Sequence, residues 1–281
     1  MIEYIIVAIL QGLFEWLPIS SSGQTFIISV NLFGITAEEA YSLAIWLHLG
    51  TTLAVLVKFR TDFIKIFKGF LPKTYIADDI DIKKRNWLVF ATIGTGITAL
   101  PLYFIFRILI SGSFTAFQGD LITLIISGLL VITGIILLKT RKIYGKRSLE
   151  DVPQNEILKD SFLAGLIQGV SILPGVSRSG ITVSAVLLED YNQHNALKLS
   201  FSMSVPVAIA SIIVDIIFGD GSVFGIIEPF LIILTTIICF FVGYLTIEFL
   251  LKVAQKINFG YFCIVYGIIA YLIIIPFIFI H

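Results

Sequence analysis

The chain has 281 residues, of which 57% are hydrophobic and 14% charged, with a mean hydropathy of +0.99. So few charges beside 24 phenylalanines exclude an ordinary soluble domain and point to an all-α membrane protein that crosses the bilayer repeatedly. Lys plus Arg equals Asp plus Glu, so net charge says nothing about partners, and only the distribution of charge is informative.

In chain order, the first apolar stretch, about 1–30, is interrupted by a run from Gln11 to Thr25 holding Glu15, Leu17-Pro18 and Ser20-Ser21-Ser22-Gly23. Uninterrupted runs long enough to span follow at about 41–58, 87–107 and 121–138. A second broken stretch covers about 161–190, and further spans are predicted at about 199–218, 229–250 and 258–280. Between 58 and 86, Phe63, Ile64, Ile66, Phe67 and Phe70 recur at helical spacing with Lys65 and Lys68. That pattern predicts an amphipathic helix on the inner leaflet and no nucleic-acid partner. Residues 145–160 read as a polar linker. Cys239 and Cys263 lie inside apolar spans and read as small core residues.

Basic residues concentrate at 58–86, at 139–147 and at Lys252 and Lys256, which places those connections in the cytoplasm. Loops 111–120 and 219–228 lack Lys and Arg and suit the outer side. If 161–190 crossed once, 219–228 would end on the wrong face. Parity is satisfied when the broken stretch enters and leaves on one side, as a re-entrant hairpin lining a cavity. The same reasoning brings hairpin 1–30 in from the outside. The expected fold is therefore six transmembrane helices plus two re-entrant helical hairpins in an inverted-topology repeat. It forms a single domain over 1–281, with repeat 1 at about 1–140 and repeat 2 at about 158–281.

The repeat is visible in the residues. Gln11 matches Gln168, Ser20 matches Ser177, Ser22 matches Ser179, Gly23 matches Gly180 and Thr25 matches Thr182, at a constant offset of 157 positions. Glu15 belongs to the first copy alone and Arg178 to the second alone. An arginine at membrane depth costs roughly 2.5–3.5 kcal/mol on insertion scales, which makes Arg178 a functional-site candidate. The glycines around Ser177-Arg178-Ser179 allow a turn whose N–H groups converge on an anion, and the guanidinium adds a fork for phosphate oxygens. Ser20, Ser21, Ser22 and Thr25 are open to roles as nucleophile, oxyanion donor or turn-former. Gln11 and Glu15 are four residues apart on one helix face and together suit a hard cation held through oxygen. His48, inside the 41–58 span, is a further candidate.

These residues resemble the undecaprenyl-pyrophosphate phosphatase family, the bacitracin-resistance type of membrane phosphatase. Its first signature is matched by Gln11, Glu15, Leu17-Pro18 and Ser20-Ser21-Ser22-Gly23. Its second is matched by Pro174, Gly175, Ser177, Arg178, Ser179 and Thr182. The resemblance implies hydrolysis of a long-chain polyprenyl diphosphate to the monophosphate carrier lipid used in cell-envelope glycan synthesis. It also implies dependence on a divalent cation (Mg2+ or Ca2+), a homodimer, and a plasma-membrane site open to the outer face with both termini outside. Ser21 is the family-like nucleophile, with Ser177 second. Ser20, Ser22, Gly23, Thr25, Gly175, Ser179 and Thr182 would bind phosphate, and Gln11 and Glu15 the cation.

One departure is informative. Bacterial members usually carry histidine where this chain has Gln24, and glutamine cannot act as a general base. Proton transfer is therefore expected from Glu15 or His48. The competing class is an inverted-repeat transporter or flippase of a carrier lipid or another anion, which would move substrate without releasing phosphate.

Overall fold

A computed structural model describes residues 1–17, 19–68, 70, 78–110, 116–140, 145–218, 227–256 and 259–278. Pro18, Lys73, Arg141, Lys142, Asp220 and His281 lie outside them, as do most of the two expected outer loops. The side chains of Asp120, Lys252 and Lys256 are also outside the described set.

Among the described residues there are eleven α-helices, and the only β-type pairing is an isolated bridge between Arg147 and Tyr191. The first broken stretch forms α1 (Ile2–Phe14) and α2 (Ser21–Asn31). Then come α3 (Ala37–Lys58), α4 (Arg60–Lys68), α5 (Asp79–Ile110) and α6 (Ala116–Thr140). The second broken stretch forms α7 (Gln154–Gly169), a short 3-10 turn over Val170–Ile172, and α8 (Arg178–Leu188). The chain ends with α9 (Gln193–Phe218), α10 (Pro229–Lys256) and α11 (Phe259–Ile278).

Five of the six expected spans fall within helices, and the sixth, about 258–280, is helical over Phe259–Ile278, the part of it that is described. Among the described residues, α3, α5, α9 and α10 are long and apolar enough to cross a bilayer, while α6 and α11 contribute the shorter apolar stretches Leu124–Thr140 and Cys263–Leu272. Large apolar side chains are exposed in rows at helical spacing: Ile93, Ile97, Leu100, Phe104 and Ile108 on α5, and Phe230, Ile233, Ile237 and Phe241 on α10. Contiguous exposure on that scale suits lipid, not water.

Packing partners come in corresponding pairs. Helix α5 runs along α7 as α10 runs along α1; α2 packs on α3 as α8 packs on α9; α3 meets α9, and α6 meets α11. The α5–α7 approach is close because it is made of glycine: a Cβ on Gly165 would come within 2.1 Å of the Ala91 carbonyl oxygen, and one on Gly94 within 2.4 Å of that of Phe162. Small residues let membrane helices approach backbone to backbone, where packing supplies the attraction that water supplies elsewhere.

Two expectations need adjustment. In α4, Phe63 and Ile66 turn into the core instead of the leaflet, whereas Ile64 and Phe67, and Phe70 beyond the helix end, are exposed. The expected linker 145–160 is helical from Gln154, with Pro153 as N-cap, because proline is tolerated at a helix start. Its remainder is tied down: Arg147 lies 2.6 Å from Glu156 and 3.3 Å from Asp160, with its guanidinium over the Tyr191 ring. Both cysteines are buried and neither forms a disulfide, as expected of core residues.

Candidate functional site

The two breaks meet. Ser20 caps α2 by accepting from the Gly23 N–H at 3.3 Å, and Ser177 caps α8 by accepting from the Gly180 N–H at 3.1 Å. The Ser20 hydroxyl also accepts from the Gly175 N–H at 3.1 Å and so joins the two turns directly. Gly175 has φ +97, a conformation that disfavours any residue with a Cβ. A Cβ on Gly23 would lie 2.5 Å from the Gly175 nitrogen. Gly23→Ala must push the turns apart, and overpacking of this kind costs about 1–3 kcal/mol. Thermal unfolding in detergent should show the loss, together with reduced activity.

Because the caps correspond, so do the first helical residues: Ser21 opens α2 and Arg178 opens α8. Both reach Glu15, which follows the end of α1 and is 8% exposed. Arg178 Nη2 is ion-paired with Glu15 Oε1. Ser21 Oγ donates to Glu15 Oε2 at 2.6 Å, and Gln11 Nε2 donates to the same oxygen at 2.8 Å and to Ser21 Oγ at 3.2 Å. His48 Nε2 lies 3.4 Å from Oε2. The other ring nitrogen, Nδ1, is 2.6 Å from the Ala44 carbonyl, which can only accept. Nδ1 therefore carries a proton, and Nε2, facing Glu15, is the nitrogen free to take or release one.

Glu15, Ser20, Ser21, Ser22, His48, Ser177, Arg178 and Ser179 all line one cavity of about 60 Å³. The other expected site residues stand apart from that wall. The Thr25 and Thr182 hydroxyls turn back to the carbonyls of Ser21 and Arg178 in their own helices, at 2.9 and 2.6 Å. Gly23 and Gly175 form the joint between the turns, and Gln11 sits behind Glu15. Gln24 donates to the Ile19 carbonyl at 2.7 Å and supports the first turn.

Tyr41, Gln168 and Ser211 also line the cavity; Gln168 is marked in the sequence only as the counterpart of Gln11 in the repeat, and nothing local marks Tyr41 or Ser211. Arg107 and Asp215 are different, because the rule that singles out Arg178, a charge inside an apolar span, applies equally to them. They are 7% and 4% exposed and lie 3.7 Å apart, and Asp215 accepts from Tyr103 at 3.0 Å. On α9, Asp215 is one turn beyond the cavity residue Ser211.

Among the described residues no three His, Cys, Asp or Glu side chains come together to hold a metal ion. The Gln11 amide turns its nitrogen toward Glu15 and leaves Oε1 buried without a hydrogen-bond partner among the described residues. An orphaned amide oxygen beside a single carboxylate fits a hard cation that takes its remaining ligands from phosphate and water.

Helices with lipid-facing rows, enclosing an ion pair and a ring of hydroxyls, define a helical membrane protein with a polar chamber inside its apolar layer. The chain belongs to the bacitracin resistance protein BacA family, whose model matches residues 4–272. It is 38% identical to a protein of Methanococcoides burtonii over 96% of this chain and 97% of the relative. A protein of Methanothrix thermoacetophila is 35% identical (95% and 94% covered) and one of Haloarcula marismortui 34% identical (94% and 93% covered). Each of the three bears the name undecaprenyl-diphosphatase.

Proposed function

We propose that this chain is an undecaprenyl-diphosphatase: it hydrolyses the terminal phosphoanhydride of a long-chain polyprenyl diphosphate to the polyprenyl phosphate and inorganic phosphate. The observation that carries the chemistry is the 2.6 Å hydrogen bond from Ser21 Oγ to Glu15 Oε2 beside Arg178. Glu15 takes the Ser21 proton, directly or with His48 as the final acceptor, while Oγ attacks the terminal phosphorus. The P–O bond to the lipid phosphate breaks, and water then cleaves the phosphoserine to release phosphate. Arg178 and the N–H groups at the start of α8 offset the negative charge spread over the phosphoryl oxygens. Gln11 Oε1 and Glu15 would hold a Mg2+ or Ca2+ ion, which when bound neutralises headgroup charge.

The corresponding helix pairs and matched serine caps support an inverted repeat of two hairpins and six spans, with halves at about 1–140 and 158–281. Basic residues at the α3–α5 connection support an inner location for that side, with both termini and the site opening outside. The homodimer is carried by the family resemblance alone.

Purified protein in detergent should release phosphate from undecaprenyl diphosphate; substrate movement in vesicles without release would instead favour a transporter. EDTA should stop release and added Mg2+ or Ca2+ restore it, with Gln11→Ala raising the cation concentration required by about tenfold or more. His48→Gln is expected to lower kcat by about 10²-fold, the lower range for a lost proton-transfer group. Full turnover of that variant across pH would remove His48 from the mechanism.

A further inference from the structure

The Glu15–Arg178 pair has a second cavity on its opposite side. Along α3, the large cavity uses Tyr41, Ala44, Ile45 and His48, and the second begins a turn later with Thr51, Thr52 and Val55. Along α9, the large cavity uses Val207 and Ser211, whereas the second uses Ser200, Phe201 and Ser204. Among the described residues only Glu15, Arg178 and Ser179 line both, so these residues form the partition. The second cavity measures about 10 Å³, the size of a single water.

Four hydroxyls on α3 and α9 face this space. Thr51 donates to the His48 carbonyl at 3.1 Å and Ser204 to that of Phe201 at 2.8 Å, so both are satisfied within their own helices. Thr52 and Ser200 are 4% and 3% exposed as residues, and among the described residues neither hydroxyl has a hydrogen-bond partner; both residues line this space. Buried hydroxyls are nearly always paired with protein or with ordered water. Two hydroxyls that no protein group takes up, on facing helices and lining a water-sized space walled by a carboxylate, make a water site.

We propose that Thr52 and Ser200 hold a fixed water against the partition, and that this water orients the Glu15 carboxylate toward Ser21. The inference rests on the reading of Glu15 and Arg178 as the reaction centre. The water lies on the side away from the large cavity, so a diphosphate entering that cavity leaves it in place. Thr52 and Ser200 are thus positioning residues, acting through the water and Glu15 and touching no substrate.

The test is steady-state phosphate release by purified Thr52→Val, Ser200→Ala and the double variant, with thermal unfolding of each. The double variant should lose about tenfold or more in kcat with KM unchanged, as expected when support of a reacting group is removed. Thr52→Ser keeps the hydroxyl and should retain kcat within about twofold. A dry cavity predicts the opposite: deleting unsatisfied hydroxyls would raise Tm and leave kcat alone. That result overturns the proposal, as does a change in KM instead of kcat, or a Thr52→Ser loss equal to that of Thr52→Val. Arg178→Ala, assayed in parallel, separates the two layers. If it is inactive while the hydroxyl variants are normal, only the water site falls; if it is fully active, the reaction centre itself is misplaced.

Discussion

Arg178→Ala should lower phosphate release by about 10³-fold or more, the range seen when a charge-stabilising donor or arginine is removed from a phosphoryl-transfer site. Arg178 is the only Lys or Arg lining the large cavity among the described residues, and it is the first residue of α8. Arg178→Lys should recover only part of the loss, because an ammonium restores the charge but not the planar fork. Folding must be measured alongside activity. Breaking a buried ion pair from one side strands the other charge and costs about 3–5 kcal/mol. The double variant Arg178→Gln/Glu15→Gln removes both charges; it should fold better than Arg178→Ala and be equally inactive. Substantial turnover in the alanine variant would remove Arg178 from the chemistry.

Ser21→Ala is expected to abolish turnover to a similar degree, with little change in KM, and to leave no phosphoenzyme to trap by rapid acid quench. Ser177→Ala provides the contrast. Ser177 Oγ is engaged as the N-cap of α8, so its loss should cost about 1 kcal/mol of stability and only a modest part of the rate. If Ser21→Ala retained more than about a tenth of kcat, well above what loss of a nucleophile leaves, direct attack by water near Glu15 would replace the covalent route. The two serines are distinguished by their partners: Ser21 Oγ points its proton at a carboxylate 2.6 Å away, whereas Ser177 Oγ accepts from a backbone N–H.

Much of this was readable from residue order. A charge inside an apolar run is costly enough to mark itself, and that singles out Glu15 and Arg178 without coordinates. Helix-breaking turns repeated at a fixed offset mark the two hairpins, and long apolar runs mark the spans. Other features carry no local signal. Thr52, Ser200 and Tyr41 sit in ordinary helical segments, and their importance depends on which helix faces them. Arg107 and Asp215 are marked by the same rule as Arg178, yet the sequence does not show that they meet.

The division has a physical basis. Backbone hydrogen bonding and the cost of burying charge act over a few residues, so sequence alone determined where helices run, where they break and which side chains need a buried partner. Pairing is set by packing between segments distant in the chain: the Ser20 hydroxyl bonded to Gly175, and the backbone-to-backbone approach of Gly94 to Gly165, bring the turns together. Only the tertiary structure decided that Ser21 and Arg178 converge on Glu15, and that this carboxylate stands between two cavities.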